Sequence, residues 1–392
     1  MTTTKNNEHK KLNFSNEQEQ SQACLNSAEH EKNQGRKVLN VPNLRFKEFQ
    51  GEWEKKRLEE CVEFLDGLRK PIKSEDRKSE QGLYPYYGAS GIIDYIDGYI
   101  FDGEYILLSE DGANIIDRNY RVAFIAKGKI WVNNHAHVLQ PYDGFDINFL
   151  SETLERLNYA VYNTGTTMPK LNQEVCRNIN LKIPTTKEQN KIGNLLSLLN
   201  ERISTQNKII DKLQSLIKGI GKQLFMDNQN WRTVRIGELL RIGNGKDYKH
   251  LCIGKIPVYG TGGQMLLVND YLYDGESVCI GRKGTIDTPM FLKGKFWTVD
   301  TLFYTYDFKD VLPKFCYYLF LQINWKLYNE GTGVPSLSKS TIENIKVKIP
   351  SLEQQKKICS ILDCYEHKTN NEDQILELYH SEKQYLLRQM FI

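Results

Sequence analysis

Paired prolines, clustered cysteines and long apolar runs are all missing from this chain of 392 residues. No two of its 11 prolines are adjacent, so the Asn/Asp-Pro-Pro-aromatic motif of adenine methyltransferases is absent. Eight cysteines (24, 61, 176, 252, 279, 316, 359 and 364) include no Cys-x-x-Cys, which points to reduced thiols rather than a disulfide frame or zinc site. The one close histidine pair, His135-Ala-His137, has no nearby third ligand and reads as strand residues or polar contacts before it reads as a metal site. No apolar run approaches the roughly 18 residues of a membrane span, and the first forty residues hold no signal-peptide core. A cytoplasmic chain with no membrane partner is expected. Gly243-Asn-Gly245-Lys246 lacks both the glycine spacing and the Ser/Thr of a Walker loop. Asp300 with Asp307-Phe-Lys309 fits a nuclease metal site only loosely, since such spacing is common.

Excess charge is also small, +3 overall, but it is uneven: −4 over residues 42–185, +3 over 186–227, +5 over 228–350 and −2 over 351–392. A nucleic-acid surface in the first of these segments would have to be a local patch.

What is present is a duplication. Aligned without gaps at an offset of 166, residues 162–226 and 328–392 share 19 of 65 positions, where chance gives about four. The shared residues include Tyr162/Tyr328, Gly165/Gly331, Pro169/Pro335, Pro184/Pro350, Gln189/Gln355 and Phe225/Phe391. Each copy opens as a Gly-Thr loop, passes through an apolar run to Ile-Pro and then becomes helical in period. Ile192, Leu196, Leu199, Ile203, Gln206, Ile210, Leu213, Ile217, Ile220 and Leu224 alternate four-three, a heptad seam with one polar member. The second copy keeps a looser seam through Ile358, Leu362, Tyr365, Leu376, Tyr379, Leu386 and Met390, with Thr369 and Glu372 interrupting it. A helix of ~38 residues is ~57 Å long, more than one small core requires.

The rest of the chain repeats too. Tyr84-Pro-Tyr-Tyr-Gly-Ala-Ser-Gly91 parallels Ile256-Pro-Val-Tyr-Gly-Thr-Gly-Gly263, and Tyr99-Ile-Phe-Asp-Gly-Glu104 parallels Tyr271-Leu-Tyr-Asp-Gly-Glu276, both at an offset of 172. The expected order is a polar disordered tail (1–41), an α+β domain (42–185), a long helix (186–227), a second α+β domain (228–350) and a second long helix (351–392). Within the first domain, Leu58 to Leu65 and Ile147 to Tyr162 read as helices and Tyr84 to Gly91 as a turn-rich loop. The short apolar runs read as strands separated by Asp-Gly and Lys-Gly turns. Chain order folds the second helix back along the first, giving an antiparallel coiled coil with a pseudo-twofold axis near Gln206 and Glu372. Leu195, Leu198, Ile209 and Leu216 lie off the seam and offer a second apolar stripe to another protein's helices. Two similar heads on a spacer suit double-stranded DNA, whose major groove returns to one face every ~34 Å.

The doubled Gly-Thr-x-x-Pro-x-Leu loop, the Ile-Pro before a Gln-x-x-Ile helix entry, the Tyr-Gly-rich loops and the domain-helix-domain-helix order resemble the specificity subunit of type I restriction-modification systems, over residues 42–392. The resemblance implies two target recognition domains, each reading one half of a split asymmetric DNA sequence, and helices that dock two modification subunits. It further implies that the chain itself is non-catalytic, with no cofactor of its own. S-adenosylmethionine, ATP and Mg would sit on the modification subunits and on two restriction subunits. Two other classes stay open: the targeting part of a fused methyltransferase or nuclease, and a coiled-coil scaffold joining two protein-binding modules.

Candidate DNA contacts follow from loop position and residue type. Arg69, Lys70, Lys73, Arg77 and Lys78 form one basic loop, and Lys246, Lys249, Arg282 and Lys283 supply cations in the second domain; each could equally be a solvated charge. Tyr87, Ser90, Thr261 and Gln264 sit in Gly-rich loops, where shaping a turn is the alternative role. Asn133, Asn134 and His135 could read base edges or form a turn. Thr166, Thr167, Thr332 and Ser336 lie in the Gly-Thr loop that both copies share, which favours a structural or backbone-contacting role. The halves differ at the same places, Glu110-Asp111 against Arg282-Lys283 and Asn133-Asn134-His135 against Val299-Asp300-Thr301, as two readers of different targets should.

Overall fold

A computed structural model describes residues 40–77, 82–226 and 230–392. The tail up to residue 39, with Cys24, and the candidate Lys78 lie outside the described residues. The chain divides into two compact units, residues up to Leu198 with Lys383–Ile392, and Leu199–Glu382, so that the boundary falls inside both long helices.

In the first unit the strands are β1 (Glu54–Arg57), β2 (Val62–Phe64), β3 (Tyr84–Gly88), β4 (Gly91–Ile96), β5 (Phe101–Ser109), β6 (Ala123–Val132), β7 (Ala136–Pro141) and β8 (Asn180–Ile183). Helices α1 (Asn114–Asp117), α2 (Ile147–Glu155) and α3 (Gln173–Arg177) precede the long α4 (Thr186–Met226). Six strands form one sheet in the order β2-β7-β5-β6-β3-β4, and β1 pairs with β8.

Several sequence expectations change here. Leu58 to Leu65 is not a helix but a single 3-10 turn (Leu58–Glu60) followed by β2, because Val62 and Phe64 find ladder partners on β7. Tyr84 to Gly91 is strand β3 and its turn rather than a loop, since the tyrosines suit a pleated surface and pair with β4 and β6. Asp97-Gly98 does separate β4 from β5, but Asp102-Gly103 and Lys127-Gly128 do not break their strands. Gly103 on β5 faces Gly128 on β6, both at positive φ, and the ladder runs through them. The break falls instead at Asn133–His135. Helix α2 stops at Glu155, and Tyr159–Tyr162 is a separate 3-10 turn.

The second unit repeats the plan with β9 (Arg232–Arg235), α5 (Ile236–Leu239), β10 (Arg241–Asn244), β11 (Ile253–Gly260), β12 (Gly263–Val268), β13 (Tyr273–Gly281), β14 (Met290–Thr298) and β15 (Leu302–Tyr306). Helices α6 (Pro313–Gln322) and α7 (Lys339–Asn344), strand β16 (Lys346–Ile349) and the long α8 (Leu352–Gln389) complete it. The sheet order, β10-β15-β13-β14-β11-β12, is that of the first unit, with β16 on β9 and Gly275 facing Gly294.

Every heptad-seam residue is buried or half-buried, and of the expected second stripe Leu198, Ile209 and Leu216 are exposed, whereas Leu195 is half-buried against the core of the first unit and leaves the stripe. Within the second unit, Phe225 near the end of α4 shares a core with Ile358 and Leu362 near the start of α8, whereas mid-helix Gln206 bonds to Glu372. The helices therefore run antiparallel. The first unit agrees: Ile192 and Leu196 from the start of α4 share a core with Leu386 from the end of α8 and Met390 just after it.

Each long helix is anchored at both ends by duplicated contacts. At the entries, the Gln189 amide donates to the Pro184 carbonyl (2.9 Å) and its oxygen accepts from Asp146 N (3.1 Å). Gln355 does the same with Pro350 (3.1 Å) and Leu312 N (2.9 Å). At the exits, Phe391 stacks on Phe149 with centroids 5.3 Å apart, and Phe225 stacks on Phe315 at 5.3 Å. Trp53 and Trp231 close the two aromatic clusters edge-on. Burying such a ring is worth about 1.5–3 kcal/mol.

Candidate nucleic-acid interface

In each head the duplicated Gly-Thr loop is held by one asparagine. The Asn163 side-chain oxygen accepts from Gly165 N and Lys170 N, both 2.9 Å, and Asn329 accepts from Gly331 N (2.9 Å) and Ser336 N (2.8 Å). Glycine is required inside the loop: a Cβ at Gly165 would stand 1.8 Å from the Met168 carbonyl oxygen, and one at Gly331 would stand 2.0 Å from that of Val334. Thr166, Thr167 and Thr332 are left exposed at its tip, with Ser336 half-buried.

The loop docks by backbone onto the segment after the long central strand. Gly112 N donates to Pro169 O (3.0 Å) and Leu171 N to Glu110 O (2.7 Å); in the second unit Gly284 N donates to Pro335 O and Leu337 N to Arg282 O, both 2.9 Å. The same frame thus presents Glu110-Asp111 in one head and Arg282-Lys283 in the other, with Asp111 bridged to Lys170 and Lys283 to Ser336.

Two further turns join each cluster. Asn133 N donates to Tyr87 O (3.0 Å), tying the β6–β7 turn to the β3–β4 hairpin, and Val299 N donates to Tyr259 O (3.0 Å) in the second unit. Asn133 is buried, and its side chain accepts from His135 N (2.8 Å), which is a turn-forming use. His135 Nδ1 lies 2.9 Å from the Asp111 carboxylate, and Asn134 is exposed. Ser90 and Gln264 are exposed, while Tyr87 and Thr261 are half-buried.

The cations divide into two groups. Arg69 bonds to Glu110 (2.7 Å), the Ala136 carbonyl (2.8 Å) and Asp66 (3.5 Å), leaving its side chain 13% exposed, so it braces the first head. Arg77 pairs with Asp94 (3.4 Å) over the Tyr86 ring. Lys70, Lys73, Lys246, Lys249, Arg282 and Lys283 are exposed, Arg282 lying over Phe303. The Lys70 and Lys246 carbonyls accept from the indole nitrogens of Trp131 (2.6 Å) and Trp297 (2.9 Å), which fixes the two basic loops at matching places.

His137, read as a strand residue, is the centre of a buried polar network. Its Nδ1 lies 2.6 Å from Asp66 and its Nε2 2.8 Å from the Leu171 carbonyl, where the Gly-Thr loop ends. Burial works against the imidazolium, but the Asp66 hydrogen bond and the Cys176 interaction outweigh it and push the pKa up to about 10. Burial likewise opposes the Asp66 carboxylate, and the His137 hydrogen bond and charge overcome it, holding its pKa below the usual value. The second head has Phe303 at the corresponding position. Neither Asn163/Asn329 nor this network was singled out in the sequence. The asparagines could have been found from their identity in the repeat; the His137 network has no counterpart there to reveal it. Asp307, from the loose nuclease pattern, pairs with Arg241 (3.0 Å), and among the described residues no group of three ligating side chains forms a metal site.

Among the described residues no helix is long and apolar enough to cross a membrane. The profile of the type I restriction modification DNA specificity domain matches residues 50–215 and again residues 228–378. A Haemophilus influenzae protein named as a type I restriction enzyme specificity subunit is 29% identical over 368 residues, covering 85% of this chain and 93% of that one. The MjaVIII specificity subunit of Methanocaldococcus jannaschii is 24% identical, with 86% and 91% covered. Among solved structures, the S subunit of a type I system from M. genitalium matches 90% of this chain and 99% of its own with a TM-score of 0.67 at 18% identity. These likenesses, and above all the double match along one chain, show that it belongs to the type I restriction-modification DNA specificity family and carries that domain twice.

Proposed function

We propose that this chain reads DNA for a type I restriction-modification complex and performs no chemistry itself. Each head binds one half of a bipartite, asymmetric target, and the helix pair sets the spacing between half-sites. The exposed helix stripe of Leu198, Ile209 and Leu216 seats two modification subunits, and two restriction subunits complete the assembly in the cytoplasm. S-adenosylmethionine, ATP and Mg belong to those partners. One observation carries the reading. Two heads with a common sheet order and a common asparagine-clamped loop present opposite charge at one position, Glu110-Asp111 in one and Arg282-Lys283 in the other. A shared frame with divergent tips is what two different half-sites demand.

The test is a domain exchange. Replacing residues 42–185 by the matching segment of a relative, then mapping methylated adenines in cells that carry the partners, should change one half of the target and leave the other. Two unchanged halves would overturn the reading, as would cleavage or methylation by the purified chain alone.

A further inference from the structure

The two heads share an irregularity that no motif announces. In the β3–β4 hairpin Tyr86 faces Asp94 and Tyr87 faces Ile92, so Ile93 is the extra residue of a β-bulge. In the β11–β12 hairpin Val258 faces Leu266 and Tyr259 faces Gln264, so Met265 is the extra residue there. The two positions correspond at the offset of 172 that relates the hairpins. A bulge lifts one side chain out of the alternation and re-aims it, and such bulges concentrate next to working sites.

Both re-aimed side chains are large and apolar, and both are half exposed, Ile93 at 54% and Met265 at 53%. Each folds over a glycine at the hairpin end. A Cβ at Gly88 would stand 3.2 Å from Ile93 Cγ2, and one at Gly260 would stand 2.9 Å from Met265 Sδ. The same Cβ positions would also meet the neighbouring turn, at 3.5 Å from Asn133 Nδ2 in the first head and 3.6 Å from Val299 Cγ2 in the second. The bulged side chain therefore lies flat at the end of the head that carries the candidate base-reading groups. It offers an apolar face rather than a protruding wedge.

Resting on the DNA-reading function proposed above, we infer that Ile93 and Met265 are specificity residues, each making an apolar contact to a thymine C5-methyl group in the major groove of its half-site. That methyl is the apolar feature which distinguishes thymine edges there. Bulge and apolar character are kept in both heads while the residue differs, as expected if the heads read different sequences.

The experiment uses the full chain in complex with its modification subunits and duplexes carrying the mapped target, with each thymine replaced singly by deoxyuridine, which lacks only the methyl. One replacement in each half-site should weaken binding about four-fold, the worth of one buried methyl. Ile93→Ala should abolish that sensitivity in one half-site only, and Met265→Ala in the other only, while Ile93→Val and Met265→Leu keep it. If an alanine variant has a lowered unfolding midpoint, the similarly sized but polar Ile93→Asn and Met265→Gln decide instead. Indifference of the wild type to every replacement, or sensitivity that survives these variants, overturns the inference while target discrimination stands. Failure to discriminate the target from scrambled DNA overturns the reading beneath it.

Discussion

Gln206 and Glu372 occupy the same position of the two repeats and are hydrogen-bonded to each other: the Gln206 amide donates to the Glu372 carboxylate at 2.6 Å and to its backbone carbonyl at 2.9 Å. A residue that touches its own counterpart lies where the two antiparallel helices are related by a local twofold. The pair is the polar layer of an otherwise apolar seam, and such layers fix register at some cost in stability.

Replacing Gln206 by Leu should leave the Glu372 carboxylate against an apolar neighbour and destabilise the second unit by about 1–3 kcal/mol. The double variant Gln206→Leu/Glu372→Leu should regain that loss, since an apolar pair suits the seam. Urea unfolding of the three proteins measures both effects, and a neutral single substitution would sink the account.

The helix exits make a second, spatially resolved prediction. Phe391→Ala removes the ring stacked on Phe149, and Phe225→Ala the ring stacked on Phe315. Each should cost about 3–5 kcal/mol. Hydrogen exchange should show faster opening of the first unit for Phe391→Ala and of the second for Phe225→Ala, and equal effects on both units would contradict the assignment.

Much of this was legible in the sequence, and the reason is physical. Heptad spacing and a gapless repeat are statements about periodicity, which a chain carries openly, so α4, α8 and their polar layer are legible in the sequence. Strand boundaries were less legible. A glycine beside Asp or Lys reads as a turn, yet Gly103 and Gly128 face each other inside one ladder, and only the partner strand reveals that. Arg69 looked like its basic neighbours because its engagement with Glu110, 41 residues away, is tertiary. His137 was opaque for the same reason, its partner Asp66 being 71 residues distant.

That network sets a pH dependence for the first unit. His137 has a folded pKa raised to about 10 from an ordinary 6.5, so its contribution is complete below about 6.5 and is lost as pH rises toward 10. Asp66 has a lowered folded pKa, so its contribution is present above about 3.8 and is lost as pH falls through the folded value. The first unit should therefore be most stable between roughly pH 4 and 6.5 and lose on the order of a few kcal/mol above that. His137→Gln should flatten the alkaline limb. The second unit, with Phe303 in that place, should lack this slope, which unit-resolved hydrogen exchange at several pH values can check.

The division of the cations is testable through salt. A side chain that neutralises a phosphate releases a counterion, so the slope of log affinity against log salt falls by about 0.9 when that contact is removed. Lys283 is exposed beside the Gly-Thr loop, and Lys283→Gln should reduce the slope by about that amount while leaving the unfolding midpoint alone. Arg69 is spent on Glu110, Ala136 and Asp66, so Arg69→Gln should leave the slope unchanged, lower the unfolding midpoint of the first unit and relax discrimination only at the half-site read by that head. The two variants would therefore separate a phosphate-contacting cation from one that holds the neighbouring loops in place. An Arg69 variant with a reduced salt slope and an intact midpoint would move it to the phosphate-contacting group.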